Sequence, residues 1–267
     1  MLDKQAVAKS FGKAAHEYDE YARIQHRIAD ALLKKCEPLA PDESNSDLCN
    51  HHTVLDLGCG TGYCLPKLRQ CFKSSTIKGA DLSEGMLAYA KQTYPMFEYS
   101  IADAEALPFE HESISLIFSN FAVQWCDSFS QVLNEQYRVL KPGGHLVLST
   151  LVEGTLRELK QAWSKVDQRQ HVNSFETQQN VEQAISESCF EEIDVTFRDE
   201  VEFYPDIRSL TDSLKRIGAH NVTQGRNRSL TTPKQLKAFM QAFEEYRQEE
   251  GLPARYHVAS IVLRKPN

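Results

Sequence analysis

VLDLGCGTG, residues 54–62, decides how this 267-residue chain is read. An apolar run, Thr53 to Leu57, passes directly into Gly58-Cys59-Gly60-Thr61-Gly62, and Tyr63 to Phe72 continue with a helical pattern. Glycines at a strand-to-helix turn remove the side chains that would hold a ligand off the backbone, and they permit positive φ. A nucleotide-like ligand is therefore expected at the carboxyl end of this strand. Outward from the loop, short apolar runs alternate with helical patterns: IKGADL (77–82), FEYSIADA (97–104), SISLIFSN (113–120) and HLVLSTL (145–151). Such alternation implies βαβ units and a parallel sheet. Pro142-Gly143-Gly144 is expected to end a helix and turn the chain into the fifth strand. Beyond it the pattern predicts helices near 155–169 and 176–188, a long strand from Ile193 to Phe203, a helical block over 206–250 and a closing strand over 257–265. Before the core, Ile24, Ile28 and Leu32 recur on one helical face, and 37–52 is a polar connector.

The expected fold is α/β: a Rossmann-like, seven-stranded, mostly parallel sheet with helices on both faces. N-terminal helices precede it, and a helical cap is inserted between its last two strands. As one domain, 1–52 supplies the first helices and linker, 53–151 the cofactor-binding core, and 152–267 the substrate-side helices, late strands and the 206–250 insertion.

Three acids define the ligand. Asp81 ends the second strand 19 residues after Gly62, close to the ~20-residue offset at which a carboxylate accepts both ribose hydroxyls. A dinucleotide fingerprint needs glycine or alanine one position past Gly62, where this chain has Tyr63. Asp56, inside the first strand, can anchor loop amides or accept from a cationic amine, and Asp103, ending the third strand, can accept an adenine amino group. Ribose, adenine and an amino-acid tail together imply S-adenosylmethionine.

Composition excludes other classes. The chain has 30 Lys and Arg against 37 Asp and Glu, a net charge of -7, and 41% hydrophobic residues, an ordinary globular balance without the basic footprint of a nucleic-acid binder. No run reaches the ~18 apolar residues of a membrane span, and the start lacks the apolar core of a signal peptide. Seven cysteines without a CxxC pair suit reduced thiols, so a cytoplasmic location is expected. Cys49, His51 and His52 lie close in sequence but lack a second cluster at zinc spacing, so no metal is expected.

VLDLGCGTG, GADLS, IADAEALPF and VLKPGGHLVLST resemble, in order, the successive motifs of class I S-adenosylmethionine-dependent methyltransferases. That resemblance implies that Gly58, Gly60 and Gly62 pass the methionyl part of the cofactor and that Asp81 holds its ribose. Met86 with Leu82 would pack on the adenine, Asp103 with Ala104 would meet its amino group, and S-adenosylhomocysteine would be the product. AKSFGKAAHEYDEYA, FSNFAVQWC, TLVEGTLRELKQAWSKVDQRQHVNSF and SLKRIGAHN carry a second resemblance, to the malonyl-[acyl-carrier protein] O-methyltransferase family of biotin synthesis. It implies methylation of the free carboxylate of a malonyl thioester, giving the ester that enters fatty-acid elongation towards pimelate, with malonyl-acyl-carrier protein as partner and neither nucleic acid nor membrane.

Tyr18 resembles the family's tyrosine over the cofactor. Asn120, Gln124 and Trp125 follow the fourth strand, at the mouth of the sheet, where a substrate would meet the methyl group; Asn120 would face the cofactor, and Gln124 and Trp125, with Tyr18, would be the catalytic side chains. His171 and Asn173 follow the helix after the fifth strand, on the substrate side. Between 207 and 240, Arg208, Lys215, Arg216, Arg226, Arg228, Lys234 and Lys237 stand against Asp212 alone. A basic cap of this kind would steer an acidic carrier protein, with Lys215 and Arg226 as contacts. Two alternatives stay open on the residues: a methyltransferase for another small carboxylic acid or a quinone-type substrate, and a non-catalytic S-adenosylmethionine-binding protein.

Overall fold

The computed structural model describes residues 3–41, 52–219 and 232–267. Seven strands, β1 (Thr53–Leu57), β2 (Thr76–Asp81), β3 (Glu98–Ile101), β4 (Ile114–Asn120), β5 (Leu140–Leu151), β6 (Glu191–Tyr204) and β7 (Leu252–Arg264), form one sheet in the order β3-β2-β1-β4-β5-β7-β6. The first five are parallel, and β7 runs antiparallel between β5 and β6. β1 and β4 are apolar along most of their length because helices cover both faces. From β1 the chain steps outward to β2 and β3 on one side and then crosses back to β4 on the other, which opens a crevice at the carboxyl ends of β1 and β4.

Around the sheet run α1 (Lys4–Ala14), α2 (Tyr18–Tyr21), α3 (Arg23–Cys36), α4 (Leu65–Cys71), α5 (Glu84–Thr93), α6 (Phe129–Val139), α7 (Arg157–Ser164), α8 (Gln178–Glu187), α9 (Ile207–Arg216) and α10 (Pro233–Glu244). The stripe expected on α3 is real: Ile24, Ile28 and Leu32 are buried. Separate apolar clusters occupy the two faces of the sheet, and a third joins α3, α7, α9 and α10 to β7 beneath the cap. In that third cluster Phe239 and Phe243 are almost wholly buried, each worth about 1.5–3 kcal/mol of hydrophobic stabilisation.

Three expectations change. The third strand stops at Ile101, because Asp103 closes a turn in which it pairs with Ala106 and accepts from the Glu105 amide at 3.0 Å. Pro142-Gly143-Gly144 does not turn the chain into a strand but lies within β5. There Gly143 N donates to Lys265 O at 2.9 Å and Lys265 N donates to Gly144 O at 2.8 Å, while the register with β4 shifts. The closing strand begins at Leu252, five residues before His257.

Helix α1 lies across the crevice because glycines let it approach. A Cβ on Gly85 of α5 would fall 2.7 Å from Gly12 Cα, so the two backbones touch. Ser83, which caps α5, donates its hydroxyl to Ala8 O at 2.7 Å. The crevice is thereby roofed by an N-terminal element.

Candidate active site

The loop after β1 is held by β2. Gly58 N and Cys59 N both donate to Ala80 O, at 2.7 and 3.0 Å, and Gly60 N donates to Asp81 Oδ2 at 2.9 Å. The other Asp81 oxygen accepts from Ser83 N at 2.8 Å. Burial pushes the Asp81 carboxyl above its ordinary range, against the opposing pull of the Ser83, Gly60 and Leu82 amides. The three glycines differ in purpose, although all have positive φ. A Cβ on Gly58 would lie 2.2 Å from Ala122 Cβ and one on Gly62 3.0 Å from Tyr94, so those two are required by packing. A Cβ on Gly60 would meet nothing within 4 Å.

Gly58, Gly60, Asp81, Leu82, Met86, Asp103, Ala104 and Asn120 all line one slot of about 110 Å³, roofed by Lys4, Val7, Ala8 and Phe11 of α1. One expected residue needs correction. Asp56 anchors no loop amide, because those amides go to Ala80 and Asp81; it is buried and its Oδ2 has no donor among the described residues. Burial, then the charge of Asp81, pushes its carboxyl up to about 8, so it is mostly protonated at neutral pH. Asn120 lines the slot with its polar ends engaged: Nδ2 donates to Gln25 O at 3.1 Å and Oδ1 accepts from Ser149 at 2.8 Å.

Asp103 carries a feature that sequence reasoning missed. Lys4 donates to both its oxygens, at 2.7 and 2.5 Å, and reaches Glu105 Oε2 at 2.5 Å. Burial opposes the Lys4 charge, but the two carboxylates outweigh it and raise the ammonium's pKa. Among the described residues, Asp103, Glu105 and Cys126 alone have metal-like spacing. The cation there is Lys4, and burial raises the Cys126 thiol to about 12, so it offers no thiolate. His52 meets Ser75 and Phe72, whereas Cys49 and His51 lie outside the described residues.

A second cavity, of about 780 Å³, opens beside the slot. Phe11, Tyr18, Phe121 and Trp125 line both spaces. Phe11 meets Trp125 edge-on at 5.4 Å and tilts against Tyr18 at 6.3 Å. Phe121 holds φ at 51°, an uncommon value for a non-glycine residue, at the very end of β4. Burial, then nearby Asp19 and Asp81, raises the Tyr18 phenol, which stays neutral.

The wider cavity gathers the expected Gln124, His171, Asn173 and Lys215, and adds Gln25. His171 Nε2 lies 2.8 Å from Asp167 Oδ1 and its ring stacks at 3.7 Å on Trp163, which stacks on Phe239 at 4.0 Å. Gln124 Nε2 donates to Phe121 O at 2.6 Å. The oxygens Gln25 Oε1, Gln124 Oε1 and Asn173 Oδ1 are buried with no donor among the described residues. At the rim, Arg208 and Lys215 are exposed, beside Leu236 and Met240, whose exposures of 47% and 45% are high for apolar side chains. Arg216 is spent on Glu17 at 2.7 Å and on the Tyr21 ring, while Arg226 and Arg228 lie outside the described residues.

Comparisons with known proteins agree with this architecture. Residues 55–148 match the methyltransferase domain family. Over 268 residues the chain is 36% identical to the malonyl-[acyl-carrier protein] O-methyltransferase of Hahella chejuensis, covering 98% of this chain and 90% of that protein. The chain belongs to the malonyl-[acyl-carrier protein] O-methyltransferase family. To the biotin biosynthesis bifunctional protein BioHC of Cellvibrio japonicus it is 39% identical over 99% of its own length, and it spans about half, 51%, of that longer relative. A solved geranyl diphosphate methyltransferase in complex with S-adenosylmethionine shares the fold, with TM-score 0.56 and 16% identity over 99% of this chain and 96% of that one. For this family member, the residues hardest to foresee were Lys4, Phe11 and Gln25. Each reaches the site through helices whose sequence pattern reveals burial but not destination.

Proposed function

We infer that the protein transfers a methyl group from S-adenosylmethionine to the free carboxylate of a malonyl group carried as a thioester on acyl-carrier protein. One observation carries the reading: a narrow slot with a glycine loop and a ribose-type carboxylate shares a wall of four aromatic residues with a cavity several times larger. The slot residues fit the cofactor. Gly60 lines the slot and has nothing within 4 Å of its Cβ position, so a backbone without a side chain faces the space. Asp81 is already oriented by two loop amides, and Met86 and Leu82 supply apolar contact for a purine. When bound, the cofactor supplies a methyl group on a positively charged sulfur.

The remaining work falls to the chain. A malonyl carboxylate is ionised at neutral pH and needs no general base to become a nucleophile. Tyr18, neutral and wedged beside Phe11, helps seal the wall between the two spaces, and Trp125 and Phe121 complete it. These groups orient the acceptor and exclude water rather than move protons. The charges of sulfonium and carboxylate cancel as the bond forms, so a tight cationic clamp on the carboxylate would favour the ground state. The cavity is consistent with that: its cations, Arg208 and Lys215, lie at the exposed rim, and Gln25, Gln124 and Asn173 nearer the wall are neutral. At the rim Arg208 and Lys215 flank Asp212 at 3.8 and 3.9 Å, which leaves a net positive charge, opposite in sign to that of an acidic carrier protein.

Mass spectrometry of malonyl-carrier protein incubated with the protein and S-adenosylmethionine tests this directly. One added methyl on the malonyl group, absent with holo-carrier protein and with free malonate, is expected. Methylation of free malonate at equal efficiency, or of no thioester at all, would overturn the reading.

A further inference from the structure

Lys4 stands where helix chemistry disfavours it. It is the first residue of α1, after the cap Asp3, which accepts from Ala6 N at 3.0 Å. A helix N-terminus carries partial positive charge, so a lysine there weakens the helix. Its place is set instead by two distant carboxylates: the ammonium donates to both oxygens of Asp103 and reaches Glu105 Oε2. Glu105 is itself fixed to the start of α6, accepting from Asp127 N at 3.1 Å and from Ser128 N at 2.8 Å. Asp103 Oδ1 also accepts from the Glu105 amide, whereas Oδ2 accepts from Lys4 alone among the described residues. A carboxylate oxygen has two acceptor sites, so Oδ2 retains one. The Asp103 side chain lines the slot and is 30% exposed.

We propose that Lys4 is a positioning residue for purine recognition. It holds Asp103 in the orientation that accepts the 6-amino group of the cofactor's adenine, and so makes the slot select an aminopurine over a 6-oxopurine. The proposal rests on the slot being the cofactor site with Asp103 toward the adenine, and goes further by giving the selection to a residue of α1. Charge explains why a pin is needed. The ligating atoms of Asp103, Glu105 and Cys126 lie within 4.8 Å of one another, and Asp127 adds a further negative charge beside Cys126. Among the described residues, Lys4 is the cation that pairs with Asp103 and Glu105. Without it the like charges repel, and Asp103 would swing toward solvent. An ammonium has three donors, and here three carboxylate oxygens take them. Lys4 therefore offers the slot its methylene stem rather than a donor. A 6-oxopurine presents an oxygen to Asp103 and gains no partner there; an adenine presents the donor that Oδ2 can still accept.

Calorimetry with S-adenosylhomocysteine and its deaminated counterpart, S-inosylhomocysteine, tests this without turnover. Wild-type protein should bind the adenine ligand roughly tenfold more tightly, the worth of a hydrogen bond to a charged group. Lys4→Met keeps the stem and removes the ammonium. It should bind S-adenosylhomocysteine more weakly and reduce the preference to about threefold or less. Lys4→Arg, which retains the charge, should keep most of the preference, whereas a lysine that merely held α1 down would alter both affinities equally. Lys4→Gln is a second neutral variant should Lys4→Met not fold. An unchanged or enlarged preference in the folded neutral variant overturns the role of Lys4 and leaves cofactor binding intact. Equal binding of both ligands by the wild-type protein overturns Asp103 as the amino acceptor and Lys4 with it. Failure of the wild-type protein to bind S-adenosylhomocysteine overturns the reading of the slot itself.

Discussion

Asp56→Asn should stabilise the protein by an amount that grows with pH. Asp56 sits in β1 at 2% exposure with Oδ2 unpaired, and burial, then the charge of Asp81, moves its carboxyl from the ordinary 3.8 up to about 8. Between those two values the unfolded chain carries the ionised group and the native chain the neutral one. The unfolded state then binds fewer protons, so native stability is fullest below the lower value, falls as pH rises, and levels off above the upper one. Each unit of pH costs about 1.4 kcal/mol, which makes the loss from about pH 5 to about pH 7 roughly 3 kcal/mol. Asparagine has the same shape and does not titrate. The stability gap between Asp56→Asn and wild type should therefore widen by roughly 3 kcal/mol over that interval, or about 5–10 °C in Tm for a chain of this size. Any fixed cost of placing an amide in the site shifts the gap equally at every pH, so the slope is the informative quantity. Urea or thermal unfolding of both proteins at constant ionic strength measures it. A gap that stays constant or narrows as pH rises would refute the reasoning, because it would mean that Asp56 is ionised in the native state.

Three further outcomes follow from the loop and the rim. Gly60→Ala should fold with a loss of about 1–2 kcal/mol from its left-handed φ, yet bind S-adenosylmethionine at least tenfold more weakly by calorimetry, since the new Cβ enters the slot. Gly58→Ala should lose the fold itself, because its Cβ meets Ala122 at 2.2 Å. Lys215→Glu combined with Arg208→Glu should lower kcat/KM for malonyl-carrier protein roughly tenfold at low ionic strength and progressively less as salt screens the encounter. Malonyl-pantetheine, which lacks the carrier's charged surface, should be affected far less, and equal losses on both substrates would place these side chains inside the chemistry rather than at the docking rim.

How much of this could be read along the chain depended on sequence separation. The glycine loop and Asp81 were legible because consecutive strands of a parallel sheet bring a loop and the next strand's end together by topology alone. The role of Asp56 was not. Its competitor for the loop amides is the Ala80 carbonyl, and a backbone acceptor carries no signature in a sequence. The Pro-Gly-Gly of β5 looked like punctuation, but it lies inside the strand. Its strand geometry comes from Lys265, more than a hundred residues away, whose backbone pairs with both glycines. Lys4 and Asp103 are likewise 99 residues apart, and nothing in a helix that begins KQAVAK names the carboxylate it will meet.

Gln25 shows where periodicity stops being informative. The stripe of Ile24, Ile28 and Leu32 correctly identified the buried face of α3, but a 3.6-residue period places Gln25 only about 100° from Ile24, at the boundary between core and solvent. A boundary position is as consistent with a solvated side chain as with one lining a cavity. The decision is made by Asn120, whose amide is fixed by Ser149 and in turn holds the Gln25 carbonyl at 3.1 Å. That bond ties α3 to the end of β4 beside Phe121 and Gln124. Asn120, which lines the narrow slot, thus also brings an unforeseen side chain, Gln25, to the wall of the larger cavity.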